Sequence, residues 1–161
     1  MKASAFALGF LIAAWSGSST AAAVPRQSAI KEIISEFQSA ITSKDKERFL
    51  SLFLDPNRTS WQPVNGDSVV VTKRTKDPGV VKAKSNPNST PASFIETVAS
   101  RAAASEEPID NIRIGGDEDV ATVSFDYRFK LDGKLKNTGT EHWLLVRTEQ
   151  GWRISSAERT G

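Results

Sequence analysis

The chain has 161 residues, of which 39% are hydrophobic and 25% charged, the balance of an ordinary soluble globular protein. This length fits one domain rather than two. The absence of cysteine excludes disulfides and thiolate metal sites. The chain has 21 basic and 19 acidic residues, so it lacks the strong positive charge typical of nucleic-acid-binding proteins. We therefore expect no nucleic-acid partner.

The first 23 residues are predicted to be a signal peptide. Lys2 precedes an apolar run over residues 5–15, which has the length of a signal-peptide core and is shorter than the ~20 residues that span a bilayer. Small residues follow, with Ala21 and Ala23 placed as an A-x-A cleavage site. A buried N-terminal helix is the alternative. We therefore expect a protein exported to the periplasm or the exterior, soluble after cleavage between Ala23 and Val24, with no membrane partner.

Hydrophobic spacing predicts three helices in the first two thirds of the chain. Residues 28–43 carry one apolar stripe at the 3.6-residue period. A second, short helix is predicted over residues 44–53, before Pro56 prevents its continuation. Thr90 followed by Pro91 is typical of an N-cap and a first helical residue, which predicts a third helix to about Ala104.

The rest of the chain is predicted to be extended or irregular. Residues 61–64 and 69–72 are predicted as short extended pieces, and 73–90 as a long loop. The C-terminal third is predicted to be a β-meander, with strands over residues 109–114, 123–131, 137–148 and 152–155. Strict alternation in the second of these strands indicates one buried and one solvated face, and Asp132-Gly133 is a strong hairpin signal. Helices first and strands last predict an α+β fold.

Three segments of this chain resemble the nuclear transport factor 2-like superfamily, also called SnoaL-like or ketosteroid-isomerase-like. They are AIKEIISEFQSAITSKDKERFLSLF, TSWQPV and VATVSFDYRFKLDGKLKNTGTEHWLLVRTEQGWRISSAE, which cover most of residues 28–159. The resemblance implies that residues 24–161 form one SnoaL-like domain, a cystatin-like roll. In this fold a strongly curved, mixed or antiparallel sheet wraps on three N-terminal helices to form a cone. The cone encloses an apolar pocket, and its outer sheet face often makes a dimer.

Combined with the alternation, the resemblance assigns side chains to the two faces of the sheet. Tyr127 and Phe129 would point into the cone, and so would Glu141, Trp143 and Leu145 on the next strand. The residues between them, His142, Leu144 and Val146, would point outward. Leu144 and Val146 would then form an apolar outer patch, which favours a homodimer.

Comparison with ketosteroid isomerases argues against their chemistry in this chain. The positions of their helix tyrosine, their general-base aspartate and their protonated aspartate fall on Phe37, Gln62 and Glu141. Neither phenylalanine nor glutamine can perform the corresponding step. Glu141 remains the candidate catalytic residue, because a carboxylate beside Trp143 in an apolar cone has a raised pKa and could act as a general acid or base. The alternatives are a hydrogen bond to a ligand or a structural ion pair.

The remaining candidates form a predicted ligand-binding set. Its members are aromatic or amide side chains that would face the pocket: Phe37, Trp61, Gln62, Tyr127 and Trp143. The alternative is that the aromatic members fill the core, and a pocket filled in this way would count against catalysis. The basic loop 73–90 is either solvated or a docking segment for an anionic or protein partner.

These features favour a non-catalytic module that binds a small hydrophobic molecule or another protein. The alternative is an enzyme of the isomerase, dehydratase or cyclase type that uses Glu141 as general acid–base. With a single histidine and no glycine-rich phosphate loop after a strand, we expect neither a metal site nor a cofactor.

Overall fold

The computed structural model describes residues 26–161, and the predicted signal peptide lies outside this range. The described part contains four helices and six strands. They are α1 Arg26–Ser43, α2 Lys46–Leu50, β1 Ser60–Val64, α3 Asp67–Arg74, α4 Pro91–Ser100, β2 Ser105–Glu106, β3 Ile109–Gly116, β4 Val120–Leu131, β5 Lys134–Thr148 and β6 Gly151–Thr160.

The first two helices form where the apolar spacing predicts them. The predicted stripe of α1 is its buried face, and it ends at Ser43 as expected. Helix α2 is shorter than predicted and begins at Lys46, because the Asp45 carboxylate caps it by accepting a hydrogen bond from the backbone N–H of Arg48 at 3.0 Å. Phe49 is its buried anchor.

The prediction of an extended piece over residues 69–72 is wrong, since these residues lie inside α3. The three consecutive valines suggested a strand because β-branched residues favour one. Charges at the ends of the segment favour a helix instead: Asp67 lies in the first turn, and Lys73 and Arg74 lie in the last. The loop that follows begins at about residue 75. It forms a β-bridge from Ala83 to Val64, and its Ser89 carbonyl accepts a hydrogen bond from the backbone N–H of Trp61.

Helix α4 begins at the predicted N-cap. Thr90 accepts a hydrogen bond from the backbone N–H of Ser93, and the Ser93 hydroxyl accepts one from the backbone N–H of Thr90, which together make a capping box. The helix ends at Ser100, four residues before the predicted end, and the chain turns into β2, a two-residue strand that the sequence pattern did not reveal.

The six strands form one curved, mixed sheet in the order β1-β6-β5-β4-β2, with β3 also paired to β4. Only the β1–β6 pair is parallel. Register shifts interrupt the β3–β4, β4–β5 and β5–β6 ladders, and such bulges bend a sheet. Asp132 and Gly133 both have positive φ (50° and 72°), as expected for the predicted hairpin turn. The predicted α+β cone is therefore confirmed.

The concave face of the sheet and the helices enclose an aromatic core. The Phe37 ring lies 5.2 Å from that of Phe49, 5.9 Å from that of Trp61 and 4.9 Å from that of Trp143. The predicted faces of β4 and β5 are confirmed: Tyr127, Phe129, Glu141, Trp143 and Leu145 are buried, whereas His142 and Leu144 are exposed and Val146 is half-buried. No helix within residues 26–161 is long and apolar enough to cross a membrane.

Candidate functional site at the mouth of the cone

An open cleft of about 580 Å³ lies at the mouth of the cone, between α4, β1 and the end of β6. Its aromatic wall consists of Trp61 and Phe94, whose rings stack with centroids 4.9 Å apart. Lys73 and Arg159 supply the charged side chains of the lining. The other lining residues are polar or small: Pro63, Asn65, Ser89, Thr90, Ser93, Thr97, Asn137 and Gly161.

Behind the cleft, the register of the sheet places a carboxylate beside Arg159. Glu141 on β5 is directly opposite Arg159 on β6, and directly opposed residues project from the same face. Glu141 is 0% exposed. Its Oε1 accepts a hydrogen bond from the indole N–H of Trp143 at 2.8 Å, whereas its Oε2 has no partner in the described part of the chain. Glu141 is thus a core residue behind the cleft and does not line it.

A second buried carboxylate, Glu107, accompanies Glu141. It lies in the two-residue link between β2 and β3 and is 2% exposed. Its backbone carbonyl accepts a hydrogen bond from the Gln38 side chain at 3.1 Å. Neither of its carboxylate oxygens has a hydrogen-bond partner among residues 26–161. Sequence reasoning did not predict this site, because a Glu-Glu-Pro segment outside any periodic pattern usually indicates a solvated turn.

The two carboxyl groups have raised pKa values because they are buried. The pKa of Glu107 is raised to about 8: desolvation is the largest cause, the charge of Glu141 also raises it, and Arg159 lowers it. Desolvation also raises the pKa of Glu141, against the lowering effects of Arg159 and of the Trp143 hydrogen bond. Near neutral pH Glu107 is therefore protonated, and it lies with Glu141 beside the Arg159 cation.

Tyr127 connects this cluster to the end of the chain. Its hydroxyl donates to the carbonyl of Thr160 and accepts from the Asn137 amide, both at 2.9 Å. Gly139 is directly opposite Tyr127 on β5, and a Cβ there would lie 1.8 Å from the Thr160 carbonyl oxygen. Only glycine therefore allows the end of β6 to approach this closely. Burial is the main cause that raises the pKa of Tyr127, so the phenol stays neutral.

Arg159 is stacked between aromatic rings. Its guanidinium carbon lies 4.9 Å from the centroid of the Tyr127 ring and 5.9 Å from that of Phe94, which are cation–π distances. Burial lowers its pKa and the charges of Glu141 and Glu107 raise it, with a net rise, so the side chain stays cationic. The ring faces of Tyr127 and Phe94 thus hold the Arg159 charge at the cleft.

The structure does not gather the predicted site residues into one pocket. Trp61 is in the wall of the cleft, but Phe37 and Trp143 pack in the core, and Glu141 and Tyr127 lie behind Arg159. The remaining residue of the set, Gln62, projects from the other side of β1. There its side chain donates to the carbonyl of Asn86 and accepts from the N–H of Asn86, both at 3.0 Å.

Of the cleft residues, sequence reasoning placed only Trp61 in the ligand-binding set, and it missed Phe94, Asn137 and Arg159 among others. Arg159 lay beyond the predicted end of the last strand, and the register shift between Ile154 and Ala157 interrupts the alternation that would have pointed to it. No group of three or more His, Cys, Asp or Glu side chains able to hold a metal ion occurs in the part of the chain that the structure describes.

No protein-family model matches this sequence, and no curated protein sequence is significantly similar to it. Solved structures of the same shape are numerous. An NTF2-like protein from Cytophaga hutchinsonii superposes with a TM-score of 0.58 at 15% identity, over 86% of this chain and 99% of its own. An NTF2-like superfamily protein from Salmonella enterica gives a TM-score of 0.59 at 17% identity, over 84% and 89%.

A third structure, an NTF2-like protein with a cystatin-like fold from Novosphingobium aromaticivorans, gives a TM-score of 0.56 at 16% identity, over 84% of this chain and 80% of its own. At such identities the likeness concerns the fold alone. The curved six-stranded sheet, the helices at its N-terminal side and these matches together show that the chain has the NTF2-like superfamily fold.

Proposed function

We propose that this chain is an exported small-ligand-binding protein whose site is the cleft at the mouth of the cone. The observation that carries the proposal is the division of the interior: aromatic rings fill the deep part of the cone, and about 580 Å³ stays open between Trp61, Phe94 and Arg159. That volume is within the range of small-molecule sites, about 300–1,000 Å³, which combine apolar walls with a few polar groups.

Binding is better supported than catalysis because the candidate acid–base does not reach the cleft. A general acid or base must come within hydrogen-bond distance of its substrate. Glu141 is fully buried and bonded to Trp143, and the Tyr127 hydroxyl is used by Thr160 and Asn137. The second candidate function, an isomerase, dehydratase or cyclase with Glu141 as general acid–base, is supported by the raised pKa of Glu141.

A cleft-filling variant tests the binding proposal. Thr97 is an exposed α4 residue of the cleft lining, and Ser100 is exposed on the same helix outside it. We expect the neutral probe 2-naphthol to bind the wild type and Ser100→Trp in a saturable one-to-one manner by calorimetry. Thr97→Trp should weaken this binding at least about tenfold, because the indole occupies the cleft. Equal binding of 2-naphthol by the wild type and both variants would contradict the proposal.

Native mass spectrometry of protein purified from its own compartment tests the same proposal with natural ligands. A retained small molecule that is absent from Thr97→Trp is the expected result. Retention of the same molecule by Thr97→Trp would place the site elsewhere and overturn the proposal. Loss of substrate turnover in Glu141→Gln with unchanged binding would favour the enzyme instead.

Export is the second part of the proposal, and the N-terminus of the secreted product tests it. We expect N-terminal sequencing of the protein from the periplasm or the medium to begin at Val24. Recovery of the intact chain from the cytoplasm alone would contradict export. A hydrophobic core of this length followed by small residues is the feature that supports it.

We also propose a homodimer through the outer face of the sheet. Leu144 and Val120 are 39% and 41% exposed there, and Val146 is the register partner of Val120. We expect Leu144→Glu to weaken the dimer at least about tenfold in sedimentation velocity, because a carboxylate would be desolvated at the contact. Leu135→Glu, at an exposed position near the β4–β5 hairpin, should not change it. A monomeric wild type at high concentration would refute the dimer.

A further inference from the structure

We infer that the cleft takes a planar apolar anion, such as a carboxylate carried on an aromatic or similarly flat ring system. The inference rests on the proposed function, in that it specifies the class of ligand for the same cleft. It comes from the charges of the lining, from the donors of Arg159 and from the shape of the aromatic wall.

The lining is cationic without a compensating carboxylate side chain. Lys73 and Arg159 line the cleft, and no Asp or Glu side chain of residues 26–161 does. Lys73 donates to the Asn65 side-chain carbonyl at 2.8 Å, a neutral partner that leaves its charge in place. Neither cation takes part in any of the salt bridges within 4 Å that the described residues form.

Arg159 is arranged to bind an external acceptor. A guanidinium has five N–H donors in a planar fork that matches a carboxylate edge to edge. Apart from a weak polar contact with the Tyr127 hydroxyl, its contacts within the protein are with the ring faces of Tyr127 and Phe94, which do not use the fork. Within the described range, the side-chain hydrogen bonds of ordinary geometry do not include Arg159 as a donor. Charge-assisted pairs of this bidentate kind are among the strongest hydrogen bonds in proteins.

The carboxylate behind Arg159 does not occupy its donors. Glu141 lies opposite Arg159 in the sheet and its charge raises the pKa of Arg159, yet the pair forms no salt bridge within 4 Å. Arg159 and Lys73 thus remain two lining cations, which favour an anionic ligand over a neutral one.

The aromatic wall selects a flat molecule. Trp61 and Phe94 are stacked, with ring centroids 4.9 Å apart and planes inclined by 22°, so the cleft presents an aromatic stack beside the guanidinium. A flat ring that packs against this stack can direct a carboxylate toward the fork of Arg159. Stacking of this kind adds to the affinity that burial of the ring area provides.

A pair of probes of equal shape and different charge tests the inference. Calorimetry on the full-length protein would compare 2-naphthoate with its neutral isostere 2-naphthamide. We expect the wild type to bind 2-naphthoate at least about tenfold more tightly, and this preference should decline as KCl is raised. Arg159→Gln should reduce 2-naphthoate affinity to that of 2-naphthamide, with 2-naphthamide itself changed by less than about twofold.

Two further variants separate the fork from the charge. Arg159→Lys retains a cation without the fork, and we expect it to keep only part of the preference. Lys73→Gln should lower 2-naphthoate affinity about two- to threefold, because Lys73 is exposed and screened, whereas Lys76→Gln, outside the lining, should have no effect. If circular dichroism shows that Arg159→Gln does not fold, the effect of Lys73→Gln and the salt dependence of 2-naphthoate binding to the wild type still test the inference.

The outcomes distinguish this inference from the proposed function. Equal affinity for 2-naphthoate and 2-naphthamide would overturn the inference while the cleft remained a ligand site. Binding of neither probe nor of 2-naphthol would overturn the proposed function itself. Inorganic phosphate bound as tightly as 2-naphthoate would also overturn the inference, because it would show a general anion site without selection for a flat ring.

Discussion

The deep part of the cone and its mouth are built from the same three strands, at positions two residues apart along each strand. The deep row across β4, β5 and β6 is Val123, Trp143 and Ala157, and the row nearer the mouth is Phe125, Glu141 and Arg159. Alternation places both rows inside the cone. The comparison shows that two residues along a strand separate an apolar core from a charged site.

The two rows also differ in what their burial contributes to stability. In the deep row the Trp143 ring packs 4.9 Å from that of Phe37 and 4.8 Å from that of Phe125, and buried apolar area stabilises the fold by roughly 25 cal/mol per Å². At the mouth, Glu107 and Glu141 together have three carboxylate oxygens without a partner among residues 26–161. Buried polar atoms of this kind reduce stability. The mouth therefore carries a thermodynamic cost that the deep row does not.

The largest effect is expected where the two rows meet, at Trp143. Trp143→Ala would leave a cavity between Phe37 and Phe125 and would remove the donor to Glu141, and we expect a loss of about 3–5 kcal/mol in the free energy of unfolding. Urea denaturation measures this loss. Trp143→Phe keeps a ring and loses only the N–H and some volume, so it should lose about 1–3 kcal/mol. Equal losses in the two variants would show that ring packing contributes little.

The next effect concerns the mouth and depends on pH. The pKa of Glu107 is about 8 in the folded protein, above the usual value of 4.5, so between pH 4.5 and 8 the folded state holds a proton that the unfolded state has released. The stabilisation from this bound proton is fully present below pH 4.5 and is lost as the pH rises from 4.5 to about 8. Glu107→Gln should therefore flatten the decline and raise stability at pH 8 by about 1–3 kcal/mol.

Thermal unfolding followed from pH 5 to pH 9 measures this difference. Glu106→Gln, at the neighbouring and only partly buried carboxylate, is the matched control and should follow the wild-type profile. A Glu107→Gln profile parallel to that of the wild type would show that the pKa of Glu107 is not raised. The same experiment on Trp143→Phe would show whether Glu141 contributes to the slope, since burial also raises the pKa of Glu141.

The smallest effect is local to the rim of the cleft. Thr90→Ala removes one half of the capping box of α4, and we expect a loss of about 1 kcal/mol in chemical denaturation. Thr97→Ala, an exposed change in the body of the same helix, should stay within about 0.5 kcal/mol of the wild type. A loss in Thr90→Ala no larger than that in Thr97→Ala would mean that the rim of the mouth does not depend on this cap.

Most of the fold could be predicted from local patterns, and the candidate site mostly could not. The stripe of α1, the Thr90 cap and the hairpin at Asp132-Gly133 depend on neighbours within one or two turns, so their residue types were sufficient. Three valines in α3 misled the prediction, because the charges at both ends of the segment outweigh their preference for strands. Gln62 was misplaced because adjacent residues of a strand point to opposite faces and Trp61 takes the inward one.

The sequence by itself determined the order of the elements, the α+β class and the inward face of the long strands, including the inward position of Glu141, because period-2 and period-3.6 patterns record burial locally. Only the tertiary structure decided that Phe37 and Trp143 fill the cone and that Glu107 joins Glu141. It also decided that Arg159, with Trp61 and Phe94, forms the cleft. These neighbours come from distant parts of the chain, and their meeting depends on strand register and on the closure of the cone, which no local pattern records.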